Sequence, residues 1–358
     1  MSEFPEFFWT MIRTSGPWLV LSFAVCGLLY GVLRPERLQK SLGNSKFSSI
    51  VKATVSGALL PICSCGVMPL TIGLHRSGAH LGPTLAFLVA APIINPAALI
   101  LAFTLLGPEI ATVYLISGFV LPVIIGLAAN RFGGDLVKSP HAVQEALVKL
   151  VSPKPSFTDI IRRLFGGLKW GFADLAVQTS RFILLGTAFA ALIFAILPLS
   201  FIQGYLASPD VMSLIGVTVL GALMYVCATG HIPFIAALVS VGTAPGIAVT
   251  FLLVGVATNL PEMLSIWKLI GRRAVLIYTG IVVAYGVILG YIVNLLFAES
   301  FMPRFDMTGT AQGIQLANNF TLIFPEWFRA FAAVAILLLG VYSWIMWGRR
   351  KIRGRLTK

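Results

Sequence analysis

Apolar runs long enough to cross a lipid bilayer follow one another along most of this 358-residue chain. A transmembrane helix needs about 20 mostly apolar residues, because each residue adds about 1.5 Å along the axis. Two further segments, 49–77 and 213–241, are hydrophobic but interrupted by Cys, Gly and Pro. The pattern predicts an all-α polytopic membrane protein with about seven crossings and two broken segments. The crossings are predicted near 17–33, 82–106, 109–129, 178–199, 246–267, 272–297 and 327–347.

The two broken segments belong to an internal duplication. Residues 54–95 align without a gap to residues 218–259, with 14 identities. Chance similarity between apolar segments would consist of Leu, Val and Ala, whereas half of these matches are Cys, Gly, Pro and Asn. The matched pairs include Cys63/Cys227, Gly66/Gly230, Pro69/Pro233 and Asn95/Asn259. The duplication predicts two structural repeats with a solute site between them.

The distribution of charge predicts how the repeats are oriented. Lys and Arg are concentrated in the stretches 34–52, 131–169, 268–273 and 349–358, which the positive-inside rule places in the cytoplasm. The loops 200–211 and 298–326 contain one basic residue, Arg304, and are predicted to face outward. Segment 49–77 must then enter and leave from the cytoplasm, and segment 213–241 from outside. The repeats are therefore predicted to be inverted, each with a re-entrant hairpin; a full kinked crossing of 49–77 is the alternative.

The same reasoning divides the chain into six parts. They are an interfacial segment 1–15, a first repeat 16–129, a basic cytoplasmic linker 130–177, a second repeat 178–297, an external loop 298–326, and a final transmembrane helix with a basic tail, 327–358. A short amphipathic helix is predicted at 157–170, near the lipid headgroups. The sequence contains no soluble catalytic domain and no P-loop motif, so we expect a transporter driven by an ion gradient and not an enzyme.

Composition limits the location and the partners. Hydrophobic residues make up 58% of the chain and charged residues 11%, against roughly 25% charged residues in soluble domains. The net charge of +13 lies in a few loops, which indicates membrane topology and anionic lipid contact and not nucleic-acid binding. We expect a multi-pass protein of the plasma membrane, the inner membrane in a bacterium. Its expected partners are the bilayer and a small-molecule or metalloid solute, with no cofactor; the oligomeric state stays open, a homodimer included.

The tips of the two broken segments contain the candidate solute ligands. Half-helices that end at Pro and Gly present free amides and carbonyls to a solute, and thiolates select soft ions and metalloids. Cys63 and Cys65 are closer in sequence than structural zinc ligands, and no His completes the set, so no metal site is predicted. Packing of the cysteines as small apolar side chains is the alternative. The predicted solute-binding residues of the tips are Cys63, Ser64, Cys65, Gly66, Pro69, Cys227, Thr229, Gly230 and Pro233.

A second set of candidates lies midway along the crossing helix that follows each hairpin. Asn95 and Pro96 occupy this position in the first repeat, and Asn259 in the second. Proline frees a helix carbonyl, and asparagine offers both a donor and an acceptor. We predict that these residues line the solute pathway; hydrogen bonding between neighbouring helices is the alternative.

Two ionisable residues occur in the second repeat alone. Glu262 and His231 correspond to Ala98 and Val67 in the first repeat. An ionisable side chain inside a membrane is by default a functional hypothesis, and histidine titrates near neutral pH. We predict that Glu262 and His231 couple solute movement to protons. In the alternative, Glu262 lies one turn from the cytoplasmic surface, near Lys268.

The first tip also suggests a family. The run Pro61-x-Cys-Ser-Cys-Gly-x-x-Pro69, followed by Gly78, Phe87-Leu88 and Asn95-Pro96, resembles the predicted-permease family that includes the organoarsenical (methylarsenite) efflux permeases. The resemblance covers roughly residues 15–300. It implies an inner-membrane permease whose characterised relatives export trivalent methylated arsenicals in exchange for protons.

These observations together predict a secondary-active permease. Its expected cargo is a thiophilic small solute, an organoarsenical or a related metalloid, exported in a proton-coupled cycle. A permease for an unrelated small solute is one alternative. A membrane thiol-redox protein, with a reversible disulfide among the intramembrane cysteines, is another. A channel or scaffold would instead show gradient-independent flux or no flux.

Overall fold

The computed structural model describes residues 4–32, 44–60, 64–76, 78–134, 157–196, 210–223, 232, 235–236, 239, 243–297 and 324–356. All the regular structure in these ranges is helical, which confirms the predicted class. The helices are α1 (Phe4–Val32), α2 (Phe47–Ala58), α3 (Ser64–Arg76), α4 (Leu81–Ile93), α5 (Pro96–Leu105), α6 (Gly107–Phe132), α7 (Phe157–Trp170), α8 (Val177–Ile196), α9 (Val211–Leu223), α10 (Pro245–Ala257), α11 (Leu260–Leu269), α12 (Arg272–Phe297) and α13 (Glu326–Leu356). A π-helical turn, Gly171–Ala176, joins α7 to α8.

Three of the described helices are long and apolar enough to cross a membrane: α6, α12 and residues Glu326–Met346 of α13. The number rises to five if each of two bent helix pairs counts as one span. The outer faces of α6, α12 and α13 are lined with exposed apolar side chains, as contact with lipid requires. They include Ile116, Phe119, Ile124, Leu127, Ile288, Leu295, Phe331 and Leu338. The described residues thus form a multi-pass helical membrane protein with three to five candidate spans, against the seven predicted.

The predicted crossings 82–106 and 246–267 are each two helices joined by a bend. Helix α4 is inclined by 49° to residues Ala98–Leu105 of α5, and α10 by 42° to residues Glu262–Leu269 of α11. The bends fall beside Pro96 and Pro261, because proline lacks an amide donor and disfavours helical backbone in the residue before it. Such a pair is either a broken span or a re-entrant loop. Helices α4 and α10 are buried along their whole length, and Asn259 and Glu262 at the second bend are buried as well, whereas Pro96 at the first bend is exposed.

The first broken segment is divided between two helices. Helix α2 ends at Ala58, and α3 begins at Ser64, so no single helix runs through the segment. Pro69 lies inside α3, where it removes the one amide that would bond to the carbonyl of Cys65, and membrane helices tolerate such a loss.

Two predicted boundaries lie inside continuous helical structure. Helix α1 begins at Phe4, so the described part of segment 1–15 belongs to the first long helix. Helix α7 has the bounds predicted for the amphipathic helix 157–170, and it continues through the π-helical turn into α8, past the predicted end of the linker. Here α7 packs along α1, where a Cβ atom on Gly27 would lie 2.6 Å from the carbonyl oxygen of Gly167.

The helix bounds of the two halves follow the sequence duplication. The alignment register that pairs residue 54 with residue 218 also pairs the first and last residues of α4 with those of α10. It pairs the first and last residues of α5 with those of α11 in the same way. The first residues of α2 and α9 correspond in the same register. The bent pair is thus the same kind of element in both halves.

Two asparagines cap the buried helices α4 and α10 from neighbouring helices. The Oδ1 atom of Asn130 accepts a hydrogen bond from the backbone amide of Gly82 at 2.9 Å, and that of Asn294 accepts from Gly246 at 2.7 Å. The first amides of a helix have no partner within the helix, and neither α4 nor α10 has a side-chain cap from its own N-cap residue. Donor and acceptor both occupy equivalent positions of the duplication, so the cap is common to the two halves.

We expect Asn294→Ala to lower the melting temperature of the detergent-solubilised protein by a few degrees. The buried amide of Gly246 would lose its acceptor, at a cost of about 1–2 kcal/mol. Asn130→Ala should shift the melting temperature less, because Asn130 is half-buried and water can replace it. Differential scanning fluorimetry of both variants gives the comparison. An unchanged melting temperature for Asn294→Ala would contradict the capping role.

Candidate functional site

The bend between α10 and α11 contains a buried group of hydrogen-bonded side chains. Asn259 is the N-cap of α11, and its Oδ1 atom accepts from the backbone amide of Glu262 at 2.9 Å. Its Nδ2 atom donates to Oε2 of Glu262 at 2.9 Å. The two residues are only 3% and 4% exposed. The arrangement resembles a capping box in which the glutamate bonds to the side chain of the cap residue and not to its backbone.

Tyr278 of α12 completes this group from the neighbouring helix. Its hydroxyl donates to the carbonyl of Ala257, the last residue of α10, and its oxygen lies 3.3 Å from Oε1 of Glu262. A tyrosine hydroxyl has one proton to donate. Both contacts are therefore full hydrogen bonds only when Glu262 is protonated and donates to the tyrosine oxygen. A neutral Glu262 carboxyl that donates to the tyrosine oxygen would satisfy both contacts.

No ion pair of Glu262 occurs among those found in the described part of the chain. Lys268 is exposed, with its Nζ atom 5.8 Å from the centre of the Trp267 ring. Glu262 is therefore buried within the protein, and its depth in the membrane, one turn from the cytoplasmic surface in the alternative interpretation, stays a prediction. A buried and unpaired carboxylate would be costly, so this site suits a carboxyl that changes its protonation state only when water reaches it.

The first bend has the same frame but different chemistry. Asn95 lies half-buried between α4 and α5, and its carbonyl accepts from the amide of Leu99 at 2.9 Å. Pro96 is exposed and begins α5. Ala98 is fully buried and is the equivalent of Glu262 in the duplication. The first bend therefore has no carboxyl group at the position where the second has one.

The predicted site residues fall into three groups. Asn95, Pro96, Asn259 and Glu262 lie at the two bends, where the structure joins Asn259 to Glu262. Ser64, Cys65, Gly66 and Pro69 lie in the first half of α3, which packs against α1 and α4. Cys63, Cys227, Thr229, Gly230, His231 and Pro233 lie outside the described residues. In the described ranges, no three His, Cys, Asp or Glu side chains are grouped closely enough to hold a metal ion.

Sequence reasoning missed Tyr278, although a signal for it was present. The duplication extends past Asn95 in the same register: Tyr114 matches Tyr278, and Asn130 matches Asn294. An alignment continued as far as Asn130 would therefore have singled out the tyrosine and the capping asparagine. The contact between Tyr278 and Glu262 follows only from the packing of α12 against α11.

These features define a multi-pass helical membrane protein with a buried carboxyl group at a break between two helices. Comparison with known proteins identifies the family. Residues 1–295 match the ArsP_1 family, described as a predicted permease, and the chain belongs to this family. The resemblance inferred from the first tip is thereby confirmed, and the family description indicates a transporter and not an enzyme.

Curated relatives cover most of the chain. UPF0718 protein MJ0584 of Methanocaldococcus jannaschii is 26% identical over 337 residues, which span 78% of this chain and 91% of that protein. UPF0718 protein YraQ of Escherichia coli is 26% identical over 269 residues, 74% of each chain. Rv2963 of Mycobacterium tuberculosis, a permease by prediction, is 25% identical over 335 residues, 86% of this chain and 80% of that protein. No solved structure is significantly similar to the chain.

Proposed function

We propose that the chain is a secondary-active permease of the plasma membrane that exchanges a small solute for protons. The observation that carries this proposal is the group formed by Glu262, Asn259 and Tyr278. This group places a carboxyl, which is neutral when buried, at a break between two helices. The family of the protein is described as a permease. Glu262 is the proton-carrying residue, and His231 is a second candidate.

The bend gives this carboxyl a means of coupling to conformation. A charged Glu262 cannot remain buried without a partner, so the closed arrangement requires the bound proton. When the bend opens to water, the carboxyl can release its proton. It then loses the hydrogen bond that it donates to Tyr278, and one contact between α11 and α12 is removed. Protonation therefore biases the bend between a closed and an open form.

We also propose that the two halves are inverted repeats with opposed re-entrant hairpins. The matching bounds of the bent pairs and the matching asparagine caps support two equivalent halves. Helix α2 has 12 residues. At 1.5 Å per residue it is about 18 Å long, shorter than the hydrocarbon core of about 30 Å. A helix of this length suits a hairpin that enters the membrane and leaves on the same side.

The cargo in this proposal is a thiophilic solute that is exported, an organoarsenical or a related metalloid. Its support is the first tip, where Cys63 and Cys65 flank Ser64 and match the family motif, with Cys227 at the corresponding position of the second half. Thiolates bind soft metalloids in preference to hard ions. The other predicted tip residues, together with Asn95 and Asn259, complete the proposed pathway.

The cargo is tested by replacing both cysteines of the first tip. In cells sensitive to methylarsenite, Cys63→Ser/Cys65→Ser should reduce resistance and export from the cell to the level of cells without the protein. The expected cause is the loss of two thiol ligands, since serine is a poor ligand for soft metalloids. Cys26→Ser is the matched control, because Cys26 lies within α1 and belongs to neither tip in the sequence.

Unchanged export by the double variant, at equal amounts in the membrane, would refute the thiol site. The thiol-redox alternative makes a different prediction. It requires a reversible disulfide among Cys63, Cys65 and Cys227, which mass-labelling of free thiols in oxidised and reduced membranes would detect.

A further inference from the structure

A tyrosine in the first half corresponds to Tyr278. Tyr114 of α6 is the equivalent of Tyr278 in the duplication, and both side chains are fully buried. Tyr278 reaches the last carbonyl of α10 and the carboxyl of Glu262. The hydroxyl of Tyr114, in contrast, has no hydrogen-bond partner among the described residues. A buried hydroxyl without a partner costs about 1–3 kcal/mol, so its presence calls for a physical explanation.

The packing of α6 places this hydroxyl beside the first bend. Helices α5 and α6 are joined at Leu106 and pack against each other. Further along α6, a Cβ atom on Gly118 would lie 2.7 Å from Cγ1 of Ile94. Ile94 precedes Leu106 by the same number of residues as Gly118 follows it. The two helices therefore run antiparallel about Leu106. Tyr114 and Ala98 are likewise equally distant from Leu106 in the sequence, so these two residues lie side by side.

The second half shows what this pairing does when the partner is a carboxyl. Tyr278 and Glu262 are equally distant in sequence from Ile270, and their side chains are in contact. At the first bend, Ala98 stands in place of the carboxyl, and the hydroxyl of Tyr114 has no partner among the described residues, not even the carbonyl of Ile93, the equivalent of Ala257. The first bend thus combines a helix N-terminus, Asn95 and an unpartnered hydroxyl donor.

We propose that the first bend is a solute-binding half-site, in which the hydroxyl of Tyr114 donates a hydrogen bond to an oxygen atom of the bound solute. This inference rests on the proposed function and deepens it: the second bend holds the proton, and the first holds an oxygen of the cargo. Tyrosine is a neutral donor and acceptor at neutral pH, and Asn95, Pro96 and Ala98 at this bend carry no charge. The ligand class is therefore an uncharged small solute with hydroxyl groups.

The test compares Tyr114→Phe with Tyr278→Phe in proteoliposomes. The solutes are methylarsenite, arsenous acid, antimonous acid and boric acid, all uncharged and hydroxylated near neutral pH. Tyr114→Phe should raise KM about five- to tenfold for the solutes that the wild type transports, with little change in kcat, because one hydrogen bond to the solute is lost. Its melting temperature without solute should not fall, since the hydroxyl has no partner among the described residues. Tyr278→Phe should alter the dependence on the proton gradient and leave KM within twofold.

The outcomes separate this inference from the proposed function. If the wild type transports at least one solute and Tyr114→Phe has the wild-type KM for each of them, the half-site is refuted and the permease proposal stands. The hydroxyl would then serve packing or water alone. An equal rise in KM for Tyr278→Phe would also refute the assignment of solute binding to the first bend and proton binding to the second. If the wild type transports none of these solutes, both proposals fail.

Discussion

Glu262→Gln is expected to reduce proton-driven solute movement to the background of protein-free liposomes, while solute-for-solute exchange continues. Glutamine has the shape of a protonated glutamate. Its amide can donate to the oxygen of Tyr278, and its carbonyl can accept from Nδ2 of Asn259, as the neutral carboxyl does. The closed form is therefore preserved, but no proton can be taken up or released. Reconstituted protein, assayed with and without an imposed pH gradient, gives the measurement.

Folding and a second carboxyl provide the controls for this experiment. Glu262→Gln should melt at or above the wild-type temperature, because a neutral amide has no charge to desolvate. Glu109→Gln should transport as the wild type does, since Glu109 is exposed in the first turn of α6. Gradient-driven transport by Glu262→Gln at the wild-type rate would exclude Glu262 as the proton carrier. Loss of exchange together with gradient-driven transport would instead assign Glu262 to solute binding or to folding.

Gly246→Ala is expected to have the largest effect on folding, with little monodisperse protein recovered from the membrane. A Cβ atom at this position would collide with the carbonyl oxygen of Gly290 and with Oδ1 of Asn294. The first is backbone of α12, and the second is the acceptor that caps α10, so neither can move aside without loss. Overpacking costs about 1–3 kcal/mol or more, and the disturbed cap adds about 1 kcal/mol.

A glycine on the same long helix serves as the matched control. Gly280 of α12 is exposed, and a Cβ atom there would meet no other atom within 4 Å. Gly280→Ala should be neutral or stabilising by up to about 1 kcal/mol, because alanine favours helix over glycine. The yield of solubilised protein and its melting temperature distinguish the two variants. Equal yields and equal melting temperatures for the two variants would show that α10 and α12 can move apart without loss of stability.

The glycines also show how far local sequence reasoning extends. Gly78, Gly82, Gly242 and Gly246 lie in the sequence between a broken segment and the crossing that follows it, where glycines are expected to shape turns. Gly78 does so, with a φ of 94° that other residues avoid. Gly82 and Gly246 instead lie in the first turn of α4 and α10, where the missing side chain allows close contact with a neighbouring helix. The type of residue was a valid signal, but its purpose depended on the neighbouring helix.

Local properties of the chain were sufficient to predict the helical membrane class and the register of the duplicated segments, and to single out the prolines at which both bends lie. These features depend on apolar run length, on the missing amide of proline and on residue identity, none of which requires knowledge of a distant partner. The family followed from a short motif at the first tip.

The meeting of polar groups, in contrast, was set by contacts between helices. Tyr278 bonds to a carboxyl 16 residues away, and Asn294 caps an amide 48 residues away, each across such a contact. Apolar surfaces drive helices together without specifying their rotation or register to within a hydrogen-bond length. The packing of α11 against α12 therefore determines the pairing of Glu262 with Tyr278. The packing of α5 and α6 likewise determines that the hydroxyl of Tyr114 has no partner within the described ranges.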